Sequence, residues 1–127
     1  MGILADARPA IVICTRDRER SAAFYRDVLG LTPVRDDALA AVFDAGGVTL
    51  RVSHVSDFKP HGHTMLGFVV ADVGATVLAL AEAGVEFLRL PGAAHDARGV
   101  LTLPAGQIHV AWMKDPDGNL LSVTDAP

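Results

Sequence analysis

Cysteine is nearly missing from this chain: Cys14 stands alone among 127 residues, which excludes an intrachain disulfide and fits a reducing compartment. A basic patch is missing too. The formal net charge is -4 and the Lys and Arg residues are scattered, so nothing offers a footprint to a nucleic-acid backbone or an anionic membrane. The opening residues, MGILADARPA, lack the charged start and long apolar core of a secretory signal, and Asp6 stands where a myristoylation signal needs Ser or Thr. No long apolar run survives inspection either. The stretch from Leu66 to Val85 is broken by Asp72, Gly74, Glu82 and Gly84, and it parses as strand, turn and helix rather than as a membrane span. A cytoplasmic protein is expected. Phosphate-binding glycine loops, nucleophile elbows and zinc-finger spacings are absent from the sequence.

What is present is a hydrophobic fraction of 50%, enough for the core of one domain spanning residues 1–127, and an internal repeat. AIVICTRD, Ala10 to Asp17, returns as MLGFVVAD, Met65 to Asp72. DAGGVTLRV, residues 44–52, returns as DPDGNLLSV, residues 115–123. The step from Asp44 to Asp115 is longer than the step from Ala10 to Met65, so the second copy carries one insertion. It is placed at the Gly- and Pro-containing stretch from Pro91 to Gly106. Two half-domains follow, a module at residues 8–56 and a module at residues 63–125, joined through Lys59-Pro60-His61-Gly62.

Within the first module the periodicity predicts a strand over Ala10 to Thr15 and a helix over Arg18 to Leu29. The helix carries Ala22, Tyr25, Val28 and Leu29 on one stripe and is closed by Gly30. Strands are expected near Thr32 to Arg35, Leu39 to Phe43 and Val48 to Ser53, with Asp36-Asp37 and Gly46-Gly47 as turns. The second module repeats the order: a strand over Met65 to Ala71, a helix over Val73 to Ala83 ended by Gly84, then strands near Glu86 to Leu90, Gln107 to Met113 and Asn119 to Val123. A β-α-β-β-β module covered by one helix leaves an edge and a face exposed, and two copies side by side remedy this. The expected fold is α+β, with two tandem βαβββ modules forming a curved eight-stranded mixed sheet around a concave cleft and the helices on the convex side.

SAAFYRDVLGL and WMKDPDGNLLSV, read with the two modules, resemble the vicinal oxygen chelate superfamily of glyoxalases, bleomycin-resistance proteins and extradiol dioxygenases. The resemblance covers nearly the whole chain. It implies four ligand positions for a metal, on the first and last strand of each module. Counting from SAAFY and DPDGN and applying the two repeat steps places them at Ala10, Arg51, Met65 and Ser122. A divalent ion needs at least three nitrogen, oxygen or thiolate donors, which this set does not supply. No metal and no cofactor is therefore expected. A slip in strand register that preserves the face is the competing reading, and it brings His63 to the Met65 position.

If strand parity holds, Ala10, Val12 and Cys14 share the cleft face with Thr49, Arg51, Met65, Gly67, Leu120 and Ser122. That face is largely apolar with one cation, suiting a small organic molecule that is partly anionic. Arg51 either anchors such a ligand with a forked pair of hydrogen bonds or pairs with Asp36, Asp37 or Asp44. His63, His95, Asp96 and Arg98 border the cleft mouth or form a lid, or else belong to an ordinary connector and surface loop with a short extra strand at Val100 to Leu103. His109 alternates with Ala111 and Met113 against Ile108, Val110 and Trp112, and the sequence leaves open which set faces the ligand. Tyr25 reads as core, and Cys14 has no neighbouring base to make it a nucleophile.

The first functional reading is a metal-independent small-molecule binding protein of the glyoxalase and bleomycin-resistance kind, acting as a homodimer without nucleic acid or membrane partners. The second is a lyase, isomerase or dioxygenase with a non-standard metal site at His63 and His109, or with a metal-free mechanism assisted by Arg51. The third is a non-catalytic interaction module.

Overall fold

The repeated phrases become repeated units. The computed structural model describes residues 2–104 and 107–126, and the chain divides into two units, Met1–Phe58 and Lys59–Pro127. The first unit holds β1 (Ala10–Thr15), α1 (Arg18–Ala23), a π-helical turn (Phe24–Val28), β2 (Thr32–Asp36), β3 (Ala40–Ala45) and β4 (Val48–His54). The second holds β5 (Thr64–Val69), α2 (Val73–Glu82), β6 (Leu101–Leu103), β7 (Ile108–Lys114) and β8 (Leu120–Thr124). Their sheets have matching orders, β1-β4-β3-β2 and β5-β8-β7-β6. In both, the first strand runs parallel to the last and the remaining pairs are antiparallel.

The expected single eight-stranded sheet is thereby corrected to two four-stranded sheets. Each unit completes its own hydrogen-bonded ladder, because the helical crossover returns the chain so that the first strand lies beside the last. Among the described residues no ladder runs from one sheet into the other. The outer strand β2 resists further pairing through Pro33, a register irregularity between Pro33 and Arg35, and the charges of Arg35 and Asp36.

Local chemistry explains why the repeat folds alike. Asp17 and Asp72, equivalent in the first repeated phrase, are both helix N-caps, accepting from the N–H of Arg20 at 3.1 Å and of Ala75 at 3.0 Å. Such a cap is worth about 1 kcal/mol over alanine. Gly47 and Gly118, equivalent in the second phrase, adopt φ of 89° and 88°, a left-handed backbone that costs glycine nothing.

The expected Arg18 to Leu29 helix changes form midway. Leu29 donates back to the Phe24 carbonyl at 3.0 Å, a wider turn than the α-helix allows. Tyr25 in that turn is fully buried, its ring 6.2 Å from that of Phe43, so the aromatic belongs to the core. Ile13, Leu50, Val52, Ala41 and Phe43 complete that face of the first sheet; Leu66, Ala111, Met113, Leu121 and Val123 are their counterparts in the second.

The strand expected at Glu86 to Leu90 does not form. The second strand of the second module is β6, where the short extra strand was expected at Val100 to Leu103, inside the stretch assigned to the insertion, whose residues 105 and 106 lie outside the described residues. The segment before it is tied up locally instead. Arg89 donates to the Asp96 and Ala97 carbonyls, both at 2.9 Å, and His95 bridges the Leu90 N–H at 2.9 Å and the Gly99 carbonyl at 2.7 Å. Leu88 reaches the sheet, donating to the Trp112 carbonyl at 2.8 Å.

Candidate functional site

In the first unit the register sets a row of side chains across the sheet face opposite the core. Arg35 of β2 pairs with Val42 of β3, Val42 with Arg51 of β4, and Arg51 with Val12 of β1. Paired residues project to the same side, so this face carries two guanidinium groups alternating with two valines. Ala10 and Thr49 form the next pair in one direction, Cys14 and Ser53 in the other. The ladder thus places Ala10, Val12 and Cys14 beside Thr49, Arg51 and Ser53. Val12 is 53% exposed and Cys14 half-buried, with no disulfide.

Asp37 joins the two arginines. Its Oδ1 accepts from the N–H groups of Leu39 at 2.9 Å and Ala40 at 2.8 Å, which fixes the turn into β3. Its Oδ2 faces Arg51 Nη2 at 3.6 Å and Arg35 Nε at 4.0 Å. Those N–H groups, Leu39 first and Ala40 next, then Arg51 and Arg35, hold the Asp37 carboxyl below the usual carboxylate range. One carboxylate against two guanidiniums leaves one positive charge in excess. Both separations exceed hydrogen-bond length, and Arg51, whose side chain is 27% exposed, donates no hydrogen bond among the described residues. Asp37 was one of three partners anticipated for Arg51. Arg35 was not anticipated, because strict alternation along β2 points Val34 to this face; the bulge at Val34 turns Arg35 onto it instead.

The corresponding row of the second unit is Gly67 of β5, Ser122 of β8 and Trp112 of β7. The step that carries Ala10 to Met65 also carries Val12 to Gly67, and the step that carries Asp44 to Asp115 carries Arg51 to Ser122, so these rows are the same place in the two copies. Ser122 is buried, and a Cβ on Gly67 would sit 2.9 Å from its Oγ. Leu120 shares this face, paired with Lys114 and Thr64, while Met65 falls at an irregularity between Thr64 and Leu66 and stands off the ladder. Trp112 is the residue that sequence periodicity left undecided, and its pairing with Ser122 settles the face.

His109 consequently lies on the other, core-side face with Ala111 and Met113, away from the Gly67, Ser122 and Trp112 row. Its Nδ1 is 2.6 Å from Asp125 Oδ2, and its backbone N–H donates to Asp125 Oδ1 at 2.8 Å. That N–H, then the imidazole, holds the Asp125 carboxyl below its ordinary range. His63 is exposed ahead of β5, its ring 5.5 Å from that of His61. His95 and Asp96 are engaged in their own loop, where Asp96 Oδ1 accepts from the Arg98 and Val100 N–H groups, both at 2.9 Å, while the Arg98 side chain reaches α2, its Nη1 donating to the Gly74 carbonyl at 3.2 Å.

The donors present do not fit the divalent ion that the resemblance implies. Arg51 is a permanent cation beside a second cation, Ala10 has no donor, Met65 offers a thioether, and Ser122 offers a hydroxyl packed against Gly67. Among the described residues no three His, Cys, Asp or Glu side chains group to hold a metal. Nor, among them, is any helix long and apolar enough to cross a membrane.

With fold and face in view, the chain belongs to the Glyoxalase/Bleomycin resistance protein/Dioxygenase superfamily, whose family model matches residues 8–123. Solved structures agree at the level of fold. A Bacillus anthracis protein described as of the glyoxalase family is 15% identical with a TM-score of 0.74, covering 98% of each chain. A superfamily member from Sphaerobacter thermophilus DSM 20745 is 22% identical, TM-score 0.72, covering 92% of this chain and 94% of its own. Lactoylglutathione lyase from Agrobacterium tumefaciens is 18% identical, TM-score 0.66, covering 93% of this chain and 92% of its own. No curated protein matches the chain.

Proposed function

We propose that this chain is a metal-independent small-molecule binding protein, taking a hydrophobic, partly anionic compound on the Arg51 face of its first sheet. The observation that carries this reading is Arg51, a partly buried guanidinium that donates no hydrogen bond among the described residues and sits between Val12 and Val42. A partly desolvated guanidinium with open donors favours a planar oxyanion that accepts two parallel hydrogen bonds. Val12 supplies exposed apolar surface alongside. Arg35 adds charge, and Asp37 keeps the two arginines from repelling one another while leaving a net positive site.

1-Naphthoate and 1-naphthol, titrated calorimetrically, test this directly. Arg51→Ala is expected to weaken naphthoate by about tenfold, the worth of one charge-assisted contact, and naphthol by less than about twofold. Equal losses for the two probes would sink the anchor. Tag-free protein purified without chelator is expected to hold no stoichiometric metal; one metal per chain that is lost on His63→Ala would move the reading to a metalloenzyme.

A further inference from the structure

The helix side of the second unit carries a groove of about 480 Å³ that lies off the sheet face described above. Val77, Leu78 and Ala81 of α2 form one wall, and Val85 and Phe87 the other. Arg89, Arg98 and Glu86 line it, and the Asp96 carboxylate lies beside Arg98, so the positive and negative charges around the groove balance. The volume falls within the range typical of small-molecule pockets, about 300–1,000 Å³.

The groove is preformed, because its loop wall is pinned from inside. Arg89 clamps the Asp96 and Ala97 carbonyls, His95 bridges Leu90 to Gly99, and Gly99 at φ 101° lies so near Phe87 that a Cβ there would come within 3.0 Å of it. A wall already ordered before binding spares the entropy of ordering it afterwards. Arg89 has both terminal nitrogens engaged. Arg98 commits only Nη1, to Gly74, and its remaining side-chain N–H groups meet no acceptor among the described residues.

We infer that this groove is a second ligand site, taking an unbranched apolar chain that ends in a carboxylate, with the chain along Val77, Leu78 and Phe87 and the carboxylate on Arg98. Charge selects the occupant. A phosphate monoester carries a second charge that Glu86 and Asp96 oppose, whereas a single carboxylate takes the hydrogen bonds that Arg98 leaves open. Sequence alone conceals the site, because Leu78 and Arg98 lie on segments that read as a helix surface and an insertion.

Decanoate and decanol, titrated into labelled protein and followed by amide shifts, distinguish the outcomes. Decanoate is expected to shift amides of residues 77–98 in both the natural chain and Arg51→Ala, which separates this site from the first. Arg98→Gln is expected to weaken decanoate about tenfold and decanol less than about twofold. Ala81→Trp, at an exposed helix position, is expected to abolish both by filling the groove. Shifts confined to β1 and β4, undiminished decanoate binding by Ala81→Trp, or equal losses for both probes in Arg98→Gln would overturn the inference.

Discussion

The phrase DAGGV and its repeat DPDGN occupy the same place in the two units, yet they close different turns. In the first, Ala45 pairs with Val48 across the Gly46-Gly47 loop, and both glycines have positive φ, as the tight hairpin demands. Asp44 is exposed and accepts one bond, from the Gly47 N–H at 2.9 Å. In the second, Lys114 pairs with Leu120 and residues 115–119 intervene. Asp115 is buried there and accepts from the N–H groups of Asp117 and Asn119, both at 2.9 Å, and from Asn119 Nδ2 at 2.8 Å. Two substitutions account for the change: Pro116 removes a ladder donor, and Asn119 brings an amide that reaches back to the carboxylate. A duplicated phrase preserves the position of a turn while its geometry and energetics diverge.

The largest test of this contrast is Asp115→Ala against Asp44→Ala. Loss of a buried acceptor of several hydrogen bonds is expected to cost about 3 kcal/mol, and loss of one exposed bond about 0.5–1 kcal/mol, read from denaturant unfolding. Equal costs would mean that the second turn is no more essential than the first. A smaller effect separates the two sheet faces. Gly67→Ala places a Cβ against Ser122 Oγ and is expected to cost about 1–2 kcal/mol, with part recovered in Gly67→Ala/Ser122→Ala. The first unit tolerates Val12 at the same place, so additivity in this cycle would mean that the hydroxyl is not what excludes a side chain.

Acid provides the gentlest comparison. Asp37 in the first unit and Asp125 in the second are both held below the ordinary carboxylate range, the one chiefly by backbone N–H groups and the other by the backbone N–H and imidazole of His109. A carboxyl whose folded pKa is lowered contributes stability above its unfolded value, about 4, and loses it as pH falls through the folded value. Stability is therefore expected to decline below about pH 4. Asp37→Asn should flatten that decline in the amides of residues 10–54, and Asp125→Asn in those of residues 101–124. A decline unchanged in both variants would assign acid sensitivity to other groups.

Much of this was legible in the amino-acid sequence. The two repeated phrases aligned Asp17 with Asp72 and Gly47 with Gly118, and strand parity put Val12 on the face of Arg51 and Gly67 on that of Ser122. These rest on local chemistry and on the alternation of side chains along a strand, both of which a chain carries in its own order. Long-range pairing decided the rest. The bulge at Val34 turned Arg35 toward Arg51, the loop knot of Arg89, His95 and Asp96 displaced the second strand of the second module to Leu101–Leu103, and the ladders closed as two sheets. A bulge, a side-chain clamp and a sheet edge each depend on which backbone groups remain unpaired once the neighbours have arrived. Only the folded chain determines that.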